Sequence, residues 1–171
     1  MTALAAEPLD AATFSPFGEV IELPGRPQDA DGPGWRWWGE THLLAASERG
    51  YGIGFLDLQP AASAFDWAER HMRSQELIAP LTGACLVYVA PPESREQPAA
   101  LPPLDDFRVF RVEPGRAVLL APAVWHGAPL ADRDPARAMV LLQHGAGRDD
   151  TVAVRFDDSP VQIVEVEHAD R

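Results

Sequence analysis

The 171-residue sequence contains no lysine and no asparagine, so all 14 of its basic residues are arginines. Without lysine, the chain cannot form a Schiff base, anchor pyridoxal phosphate or supply the lysine of a phosphate-binding loop. Without asparagine, its turns depend on glycine, proline and aspartate. Several classes of covalent and phosphate-dependent enzyme are therefore excluded.

Cysteine and long apolar runs are also scarce. Cys85 is the single cysteine and lies in a short apolar run, where we expect a buried thiol that has no partner for an intrachain disulfide. No apolar run approaches the roughly 20 residues that a membrane helix needs. The acidic start, "MTALAAEPLD", lacks the basic region of a secretory signal. We therefore expect a cytoplasmic protein that has no membrane partner.

Positive charge is in short supply, because 26 acidic residues outnumber 14 basic ones and give a formal net charge of −12. Such a chain repels nucleic acid and anionic membrane surfaces, so neither is an expected partner. About 46% of the residues are hydrophobic, which is enough for a sizeable core. The length suits one domain that spans residues 1–171.

Short apolar runs separated by proline, glycine and aspartate predict an all-β protein. Several runs alternate apolar and polar residues, which is typical of a sheet with one buried face. We expect residues 107–121 to form a hairpin with its turn at Pro114–Gly115. The predicted strands cover residues 19–23, 52–58, 84–90, 107–112, 116–121, 137–143, 151–156 and 161–166.

Helical signals are few and lie at residues 10–17, near the start, and at residues 65–71. The 17 prolines exclude long helices elsewhere. Two stretches rich in proline, at residues 24–34 and 90–106, are predicted to be loops. Eight short strands and one short N-terminal helix together predict a β-sandwich or a closed β-barrel.

Five histidines limit the search for a catalytic site. Glu69 and His71 are two residues apart, so a strand would point both side chains to one face, and Glu76 would return on the next strand after a turn at residues 72–74. His126 is expected at the start of a later returning strand. His42 is either a satisfied polar residue or a pocket member, and His168 is expected in solvent with the acidic C-terminal tail.

These residues stand in two segments that resemble the two sequence motifs of cupins. The first is Glu69-x-His71-x4-Glu76-x6-Gly83, with Glu69 in place of the usual first histidine. The second is "PGRAVLLAPAVWHGAP", which lacks the second glycine of that motif. The resemblance implies a cupin-like double-stranded β-helix, or jelly-roll barrel, whose interior Glu69 and His71 face.

A closer resemblance links residues 8 to about 145 to the ureidoglycolate lyase family. It is carried, in order, by "LDAATFSPFGEVIE", by "WRWWGETHLLA" through Arg36 and Trp37, by "ERHMRSQELIAPLTG" and by "VWHGAPL". The resemblance implies a homodimeric lyase that splits ureidoglycolate into glyoxylate and urea in purine and allantoin breakdown. Its active site would require no cofactor.

The chain departs from the family pattern at five places. Met72 stands where the family has a proline, Glu76 where it has a glutamine, and Gly127 where it has a second histidine. Gln143-His144-Gly145 replaces an Asp-Arg-Gly end, and the asparagine near the arginine-aromatic segment has no counterpart. These departures put the substrate in question more than the fold.

Under the lyase hypothesis, Glu69 and His71 form the acid-base pair and His126 is a second polarising group. Arg36 or Arg73 is expected to hold the substrate carboxylate, because arginine presents a planar bidentate fork. Substrate-binding residues are then expected to be Arg36, Trp37, Arg73, Gln75 and Glu76. Arg70 would face away from the site, and Trp125 would lie in the core.

Two alternatives remain open from the residues alone. Glu69, His71, Glu76 and His126 together offer two imidazoles and two carboxylates, a set that suits Zn²⁺, Mn²⁺, Fe²⁺ or Ni²⁺. A metal-dependent cupin enzyme that acts on another small carboxylate metabolite is therefore one alternative. A non-catalytic cupin that binds a small molecule is the other. The tryptophan-rich segment at residues 34–40 is expected to be a barrel lid, a dimer contact or a pocket wall.

Overall fold

The computed structural model describes residues 2–61, 63–92, 97–156 and 160–165. Over these residues the chain is mostly β-strand, with two four-residue helices, Ala11–Phe14 (α1) and Ala146–Asp149 (α2), and a 3-10 turn at Leu104–Asp106. The strands are β1 (Ala3–Pro8), β2 (Gly18–Ile21), β3 (Ala30–Gly32), β4 (Trp35–Trp37), β5 (Tyr51–Leu58), β6 (Ala64–Phe65), β7 (Trp67–His71), β8 (Glu76–Thr82), β9 (Cys85–Ala90), β10 (Arg108–Val112), β11 (Ala117–Leu120), β12 (Trp125–His126), β13 (Leu130–Ala131), β14 (Ala136–Gln143), β15 (Thr151–Arg155) and β16 (Val161–Glu165).

Two curved sheets form the body of the fold. The larger sheet has the strand order β15-β7-β12-β9-β10-β1-β16-β6, with β13 also paired to β9. The smaller sheet has the order β2-β11-β8-β14-β5, and β3 and β4 form a separate hairpin. Most neighbours are antiparallel, although β1 runs parallel to both β10 and β16. The all-β, cupin-like prediction is confirmed.

The core divides into two clusters because successive residues of a strand point to opposite faces. Along β9, Cys85, Val87 and Val89 pack into a cluster between the two sheets, where they meet Ile78 and Val118 of the smaller sheet. The alternate β9 residues pack on the opposite face of the larger sheet, in a second cluster with Phe65, Phe107 and Trp125. The side chains of the first cluster, between the two sheets, therefore face the barrel interior.

The expected hairpin at residues 107–121 is wrong. A turn does form, with the backbone N–H of Arg116 donating to the carbonyl of Glu113, but the two strands then enter different sheets. β10 pairs with β9 and β1, whereas β11 pairs with β2 and β8. β10 and β11 both bury apolar residues in the core cluster between the two sheets, which they line from opposite sides.

Two local predictions are also wrong. Residues 65–71 form strand β7 and the end of β6 instead of a helix, because pairing with β12 and β15 overrides the weak helical signal. The predicted loop at residues 24–34 contains strand β3, which pairs with β4 inside the tryptophan-rich segment. The helical signal at residues 10–17 is confirmed by α1, whose first N–H groups donate to the Asp10 carboxylate.

No helix in the described ranges is long and apolar enough to cross a membrane. Cys85 is fully buried, as expected, and burial raises the pKa of its thiol to about 11. His168 and the rest of the tail from residue 166 lie outside the described residues.

Candidate active site

Four polar side chains meet inside the barrel at one end of the two sheets. Glu69 and His71 come from β7, His126 comes from the two-residue strand β12, and Glu76 begins β8 in the smaller sheet. Glu69 and His126 are directly opposite each other in the β7–β12 ladder, and Glu76 is opposite Leu142 of β14. The structure therefore brings together the four residues that the two sequence motifs predicted.

The Glu76 carboxylate joins the two histidines. One of its oxygens, Oε2, lies 2.9 Å from Nε2 of His71 and 3.2 Å from Nε2 of His126. The two imidazole centroids are 5.3 Å apart. His71 and His126 are 4% and 2% exposed, so the three groups meet where little water competes for their hydrogen bonds.

The other nitrogen of each imidazole also has a partner. His126 Nδ1 lies 2.9 Å from the backbone oxygen of Val124. Because a carbonyl can only accept, Nδ1 carries a hydrogen and donates it. His71 Nδ1 lies 3.0 Å from Oγ1 of Thr151. The Nε2 atoms of both rings are thus the ones that face Glu76 and the barrel interior.

Charge within this cluster shifts the pKa of two groups. Burial alone would raise the pKa of Glu76, but the positive charge and hydrogen bonds of His126 and His71 outweigh it and lower that pKa to about 2. Burial likewise opposes a charge on His126, but attraction to Glu76 outweighs burial and raises the pKa of the imidazole. The two shifts therefore favour the anionic form of Glu76 and the cationic form of His126.

These shifts predict how the free energy of unfolding depends on acid pH. The pKa of Glu76 is about 2 in the folded chain and 4.5 as its ordinary value. The carboxylate therefore contributes stability above pH 4.5, on the order of 3 kcal/mol, and loses it as pH falls from 4.5 towards 2. Urea unfolding at several pH values would measure this slope.

Glu76→Gln should flatten the slope, because its amide does not titrate. Glu48→Gln is the matched control, since Glu48 is exposed and should leave the slope unchanged. If the dependence of the unfolding free energy on pH were unchanged in Glu76→Gln, the stabilising interaction between Glu76 and the two histidines would be contradicted.

A clamp on the 72–74 turn fixes the distance between His71 and Glu76. The buried carboxylate of Asp150 accepts hydrogen bonds from the backbone N–H groups of Arg73 and Ser74, from the Ser74 hydroxyl at 2.7 Å and from Nε of Arg73 at 2.9 Å. The N–H of Met72 donates to the Asp150 carbonyl at 3.2 Å, a bond that proline could not make. The departure from the family pattern at Met72 is thus matched by a hydrogen bond.

The approach to His126 is strained. Ala123 has φ of 70°, in the left-handed region that favours glycine. Its N–H donates to the backbone oxygen of His71 at 2.7 Å, so the segment before His126 is tied to the end of β7. Backbone strain of this kind persists where surrounding contacts hold it, and it is common beside functional sites.

An open cleft of about 230 Å³ leads to the cluster. Glu69, His71 and Glu76 supply its polar wall. The remaining lining is small or apolar and comes largely from β5, β14 and the segment after β12, namely Gly54, Phe55, Leu56, Ala128, Pro129, Val140, Leu142 and Gly147. A cleft of this size accepts a small metabolite.

The other predicted substrate-binding residues lie elsewhere. Arg73 is largely exposed, and its guanidinium donates to the carboxylate of Asp150 and to the backbone oxygen of Asp149. The side-chain oxygen of Gln75 accepts from the backbone N–H of Ala45 at 2.7 Å and anchors the segment before β5. Both residues hold the walls of the site in place.

Arg36 and Trp37 line a separate, larger cavity of about 630 Å³ between the β3–β4 hairpin and the smaller sheet. Trp37 is 60% exposed. His42, the other histidine considered for a pocket, lies 2.9 Å from Glu19 in a third, exposed cleft. Within one chain, therefore, none of these three residues joins Glu69, His71 and His126.

The back of the site is packed by Arg70 and Trp125, as the strand alternation predicted. The Arg70 guanidinium is fully buried, lies 4.5 Å from the Trp125 ring and donates to the backbone oxygens of Gln97 and Pro98. Trp125 is fully buried in the second core cluster. The residues beside His71 and His126 thus hold β7 and β12 from behind.

Gly127 follows His126 where the family pattern has a second histidine. A Cβ atom at this position would lie 1.7 Å from the phenolic oxygen of Tyr88. Tyr88 is buried, and its hydroxyl donates to the backbone oxygen of Trp67. Tyr88 therefore occupies the space that any side chain at residue 127 would need.

The donor set also fits a divalent metal by ligand type. One ligand atom from each of Glu69, His71 and His126 lies within 4.8 Å of the other two. Two imidazole nitrogens and a carboxylate oxygen suit Zn²⁺, Mn²⁺, Fe²⁺ or Ni²⁺. Glu76 stands between the imidazoles, so it would be a further ligand or a partner to them.

Sequence patterns did not identify three groups that support the site: Thr151, Asp150 and the carbonyl of Val124. Thr151 and Asp150 lie about 80 residues beyond His71 in a segment without a recognisable motif. The sequence predicted a strand at residues 151–156. It gave no sign that this strand pairs with β7.

Fold and site together define a cupin-like β-barrel protein with a His/Glu centre in its interior. A profile of the family described as ureidoglycolate lyase matches residues 1–164. The chain therefore belongs to the ureidoglycolate lyase family, and it is an enzyme of the lyase class.

Relatives with an assigned activity agree with this membership. The chain is 31% identical over 153 residues to a ureidoglycolate lyase of Azotobacter vinelandii, covering 86% of this chain and 89% of the relative. It is 29% identical over 153 residues to that of Rhodobacter capsulatus, covering 86% and 90%. A solved dTDP sugar isomerase of Desulfovibrio desulfuricans shares the fold, with a TM-score of 0.50 and 19% identity over 83% of this chain and 87% of that one.

Proposed function

We propose that this chain cleaves ureidoglycolate to glyoxylate and urea, in the breakdown of purines through allantoin. The observation that carries the proposal is the convergence of His71, Glu76 and His126 beside Glu69 at a small cleft. Membership of the ureidoglycolate lyase family supports the substrate. We also place the reaction in the cytoplasm, in keeping with a single, buried cysteine.

Ureidoglycolate is a carbinolamide, so its cleavage is a matter of moving protons. A base removes the hydroxyl proton, the carbon–nitrogen bond breaks, and the carbon–oxygen bond becomes the aldehyde of glyoxylate. The bonding electrons leave with the nitrogen, which takes a proton from an acid to complete urea. Acid and base groups held within hydrogen-bond reach accelerate such a step by about 10²–10⁴-fold.

The site supplies both kinds of group. We assign the acid-base pair to Glu69 and His71, which share a face of β7 and both line the cleft. His126 is the second polarising group, because Glu76 outweighs the effect of burial, raises the pKa of the imidazole and so favours its cationic form. Glu76 lies within hydrogen-bond distance of both imidazoles and so orients them, and it contacts the substrate from the cleft wall.

A metal-dependent reaction at the same residues is the second candidate, favoured by the close spacing of Glu69, His71 and His126. A divalent metal held there would act as a Lewis acid and polarise a substrate oxygen. The leading proposal requires no cofactor. A non-catalytic, small-molecule-binding role is a third candidate, which membership of a lyase family disfavours.

One set of measurements separates these candidates. Purified protein is assayed for glyoxylate release from ureidoglycolate, analysed for bound metal, treated with a chelator and assayed again. Turnover that survives chelation supports the proposal, and turnover that returns only with added metal supports the metal-dependent reaction. Stoichiometric metal without turnover would contradict cleavage of ureidoglycolate. If the protein has neither bound metal nor turnover but a small ligand raises its Tm, the binding role would be favoured.

We further propose that the chain is a homodimer that associates through the outer face of the smaller sheet. Ile53 and Phe55 alternate with the core residues Leu56 and Leu58 along β5, so they point away from the core, and they are 63% and 71% exposed. Leu81 and Trp37 add exposed apolar surface. Monomers rarely leave a contiguous apolar face of this kind in water. The β3–β4 hairpin would then lie near the interface.

Ile53→Glu tests the dimer, because a charge in an apolar interface opposes association. The wild type should sediment with twice the chain mass, and the variant should sediment with one chain mass at micromolar concentration. Val164→Glu is the control, since Val164 is exposed on the larger sheet and should leave the dimer intact. A monomeric wild type, or a variant that stays dimeric, would contradict the proposed interface.

A further inference from the structure

The cavity of about 630 Å³ is separate from the active-site cleft. It lies between the β3–β4 hairpin and the edge of the smaller sheet that carries β2, and it shares no lining residue with the cleft beside His71. It adjoins the proposed dimer face at Leu81 and Trp37, whereas Ile53 and Phe55 lie on β5 at the opposite edge of the sheet. The cavity is therefore a second concave surface of this chain.

Hydrogen bonds within the hairpin segment fix one wall of this cavity. The backbone N–H of Asp29 donates to the carbonyl of Trp37 at 2.8 Å, and the N–H of Gly39 donates to the Asp29 carboxylate at 2.8 Å. The indole N–H of Trp38 donates to the carbonyl of Arg26 at 3.0 Å. The Arg26 guanidinium in turn pairs with the Asp29 carboxylate. Because the wall is already ordered, a ligand pays little entropy to shape it.

Aromatic and apolar side chains form most of the lining. Trp37 and Trp38 line it from the hairpin, Leu23 and Pro24 from the segment after β2, and Leu81 from β8. Tryptophan offers a large flat surface on which another planar ring stacks favourably. The lining therefore suits an aromatic ring better than a sugar or another strongly hydrated group.

Arg36 brings an unpaired guanidinium to this aromatic lining. The guanidinium carbon lies 5.6 Å from the centroid of the Trp38 ring, and no described residue offers it an oxygen within hydrogen-bond distance. Asp31 is opposite Arg36 in the β3–β4 ladder, but its carboxylate accepts from the side-chain amide of Gln28 at 3.1 Å. The N–H groups of Arg36 are therefore available to a ligand.

The other charged groups of the lining satisfy each other. Nη2 of Arg116 lies 2.7 Å from Oε2 of Glu22, and Nη1 of Arg116 donates to the carbonyl of Leu9 at 2.7 Å. Thr41 adds a neutral hydroxyl. Because the charges of Arg116 and Glu22 cancel, Arg36 decides the charge of a matching ligand, which is negative.

We propose that this cavity is a second ligand site, which takes a planar aromatic or heteroaromatic carboxylate. The ring stacks in the tryptophan-lined part, and the carboxylate accepts two parallel hydrogen bonds from Arg36. The proposal concerns binding alone, so it does not depend on the cleavage of ureidoglycolate. Its failure and the failure of the proposed function are therefore separate results.

The probe is 2-naphthoate, with 2-naphthamide as a neutral control of nearly the same shape. Isothermal titration calorimetry of the full chain gives the Kd of each compound. Arg36→Gln removes the charge, Arg36→Lys keeps the charge without the planar fork, and Trp37→Leu removes a ring. Arg155→Gln is the matched control, because Arg155 is exposed on β15 of the larger sheet and pairs with Asp66. Tm checks the folding of every variant.

We expect 2-naphthoate to bind with a Kd at least about 3-fold lower than that of 2-naphthamide. Arg36→Gln and Trp37→Leu should each raise the Kd of 2-naphthoate at least about 3-fold, as for a partly open ion pair and an aromatic contact. Arg36→Lys should raise it less than Arg36→Gln, and Arg155→Gln should leave it unchanged. In ¹H–¹⁵N spectra, the indole signal that is lost in Trp37→Leu should shift when 2-naphthoate is added to the wild type.

Several results would overturn the proposal. Equal affinity for the acid and the amide would show that Arg36 does not select an anion. Wild-type affinity in folded Arg36→Gln would place the probe outside this cavity. No binding at millimolar 2-naphthoate, together with sedimentation of Arg36→Gln as single chains, would assign the cavity to a second copy of the chain. No binding without that change in sedimentation would leave the cavity without the proposed ligand class.

Discussion

His71→Ala is expected to lower kcat for ureidoglycolate by at least about 10³-fold while the chain stays folded. The imidazole contributes Nε2 to the cleft and shares the Glu76 carboxylate with His126. Its removal would therefore eliminate the group to which we assign proton transfer, together with a partner of that carboxylate. Loss of a positioned acid or base costs about 10²–10⁴-fold. Steady-state glyoxylate release, with circular dichroism as the check on folding, measures the effect.

A second histidine provides the control. His144 is exposed after β14, so His144→Ala should retain wild-type kcat and KM. Because His71 is buried, His71→Gln is a useful companion that preserves volume while removing the titrating ring. If either His71 variant were folded and fully active, acid-base catalysis by this residue would be wrong, and so would the metal-dependent alternative.

Gly127→Ala is expected to produce the largest loss of stability, on the order of 3 kcal/mol, which corresponds to roughly 6–12 °C in Tm. The added Cβ would lie 1.7 Å from Oη and 2.5 Å from Cζ of Tyr88. The tyrosine ring cannot retreat easily, because it is fully buried and stacks on Phe65 with centroids 3.9 Å apart. Thermal unfolding followed by circular dichroism measures the loss.

Gly25→Ala is the matched control, because a Cβ there meets no atom within 4 Å. Removing the phenol should relieve the clash, so Gly127→Ala should cost less in a Tyr88→Leu background than in the wild type. Equal costs in the two backgrounds would show that Tyr88 does not exclude side chains at residue 127. Wild-type Tm in the single variant would contradict the steric argument outright.

The proximity of the candidate site residues could be predicted in part because the spacing of Glu69 and His71 is local. Residues that are two positions apart on a strand share one face, so Glu69 and His71 could be paired without knowledge of the fold. The resemblance to cupin motifs then joined them to Glu76 and His126. The eight predicted strands were likewise recovered, with ends shifted by one or two residues, because alternation is a property of each segment alone.

What could not be predicted depends on which strands become neighbours. The turn at Pro114–Gly115 looks like a hairpin turn, and only the barrel core decides that β10 and β11 enter different sheets. Strand β1 was missed because half of its six residues are alanine, and because its parallel partners β10 and β16 lie far along the chain. Thr151 and Asp150 escaped notice for the same reason.

The two arginines predicted to bind the substrate are not among the residues that line the cleft beside Glu69, His71 and Glu76. Arginine at a given position indicates a cation but not the direction of its long side chain. Arg73 was expected in the cleft and instead pairs with Asp150, where a charge-assisted bond is available next to the turn. Arg36 lies in a cavity formed by a hairpin that the sequence did not predict.

The Asp150 clamp has a consequence for the order in which the protein assembles. The 72–74 turn carries the chain from one sheet to the other between His71 and Glu76, and its hydrogen bonds end on a residue more than 70 positions downstream. During synthesis, the first cupin-like motif therefore leaves the ribosome long before its clamp. Contacts of such long sequence separation form late, because loop closure must be completed before they stabilise the chain. The candidate active site should thus be among the last parts of the barrel to become ordered, after the core strands have already paired.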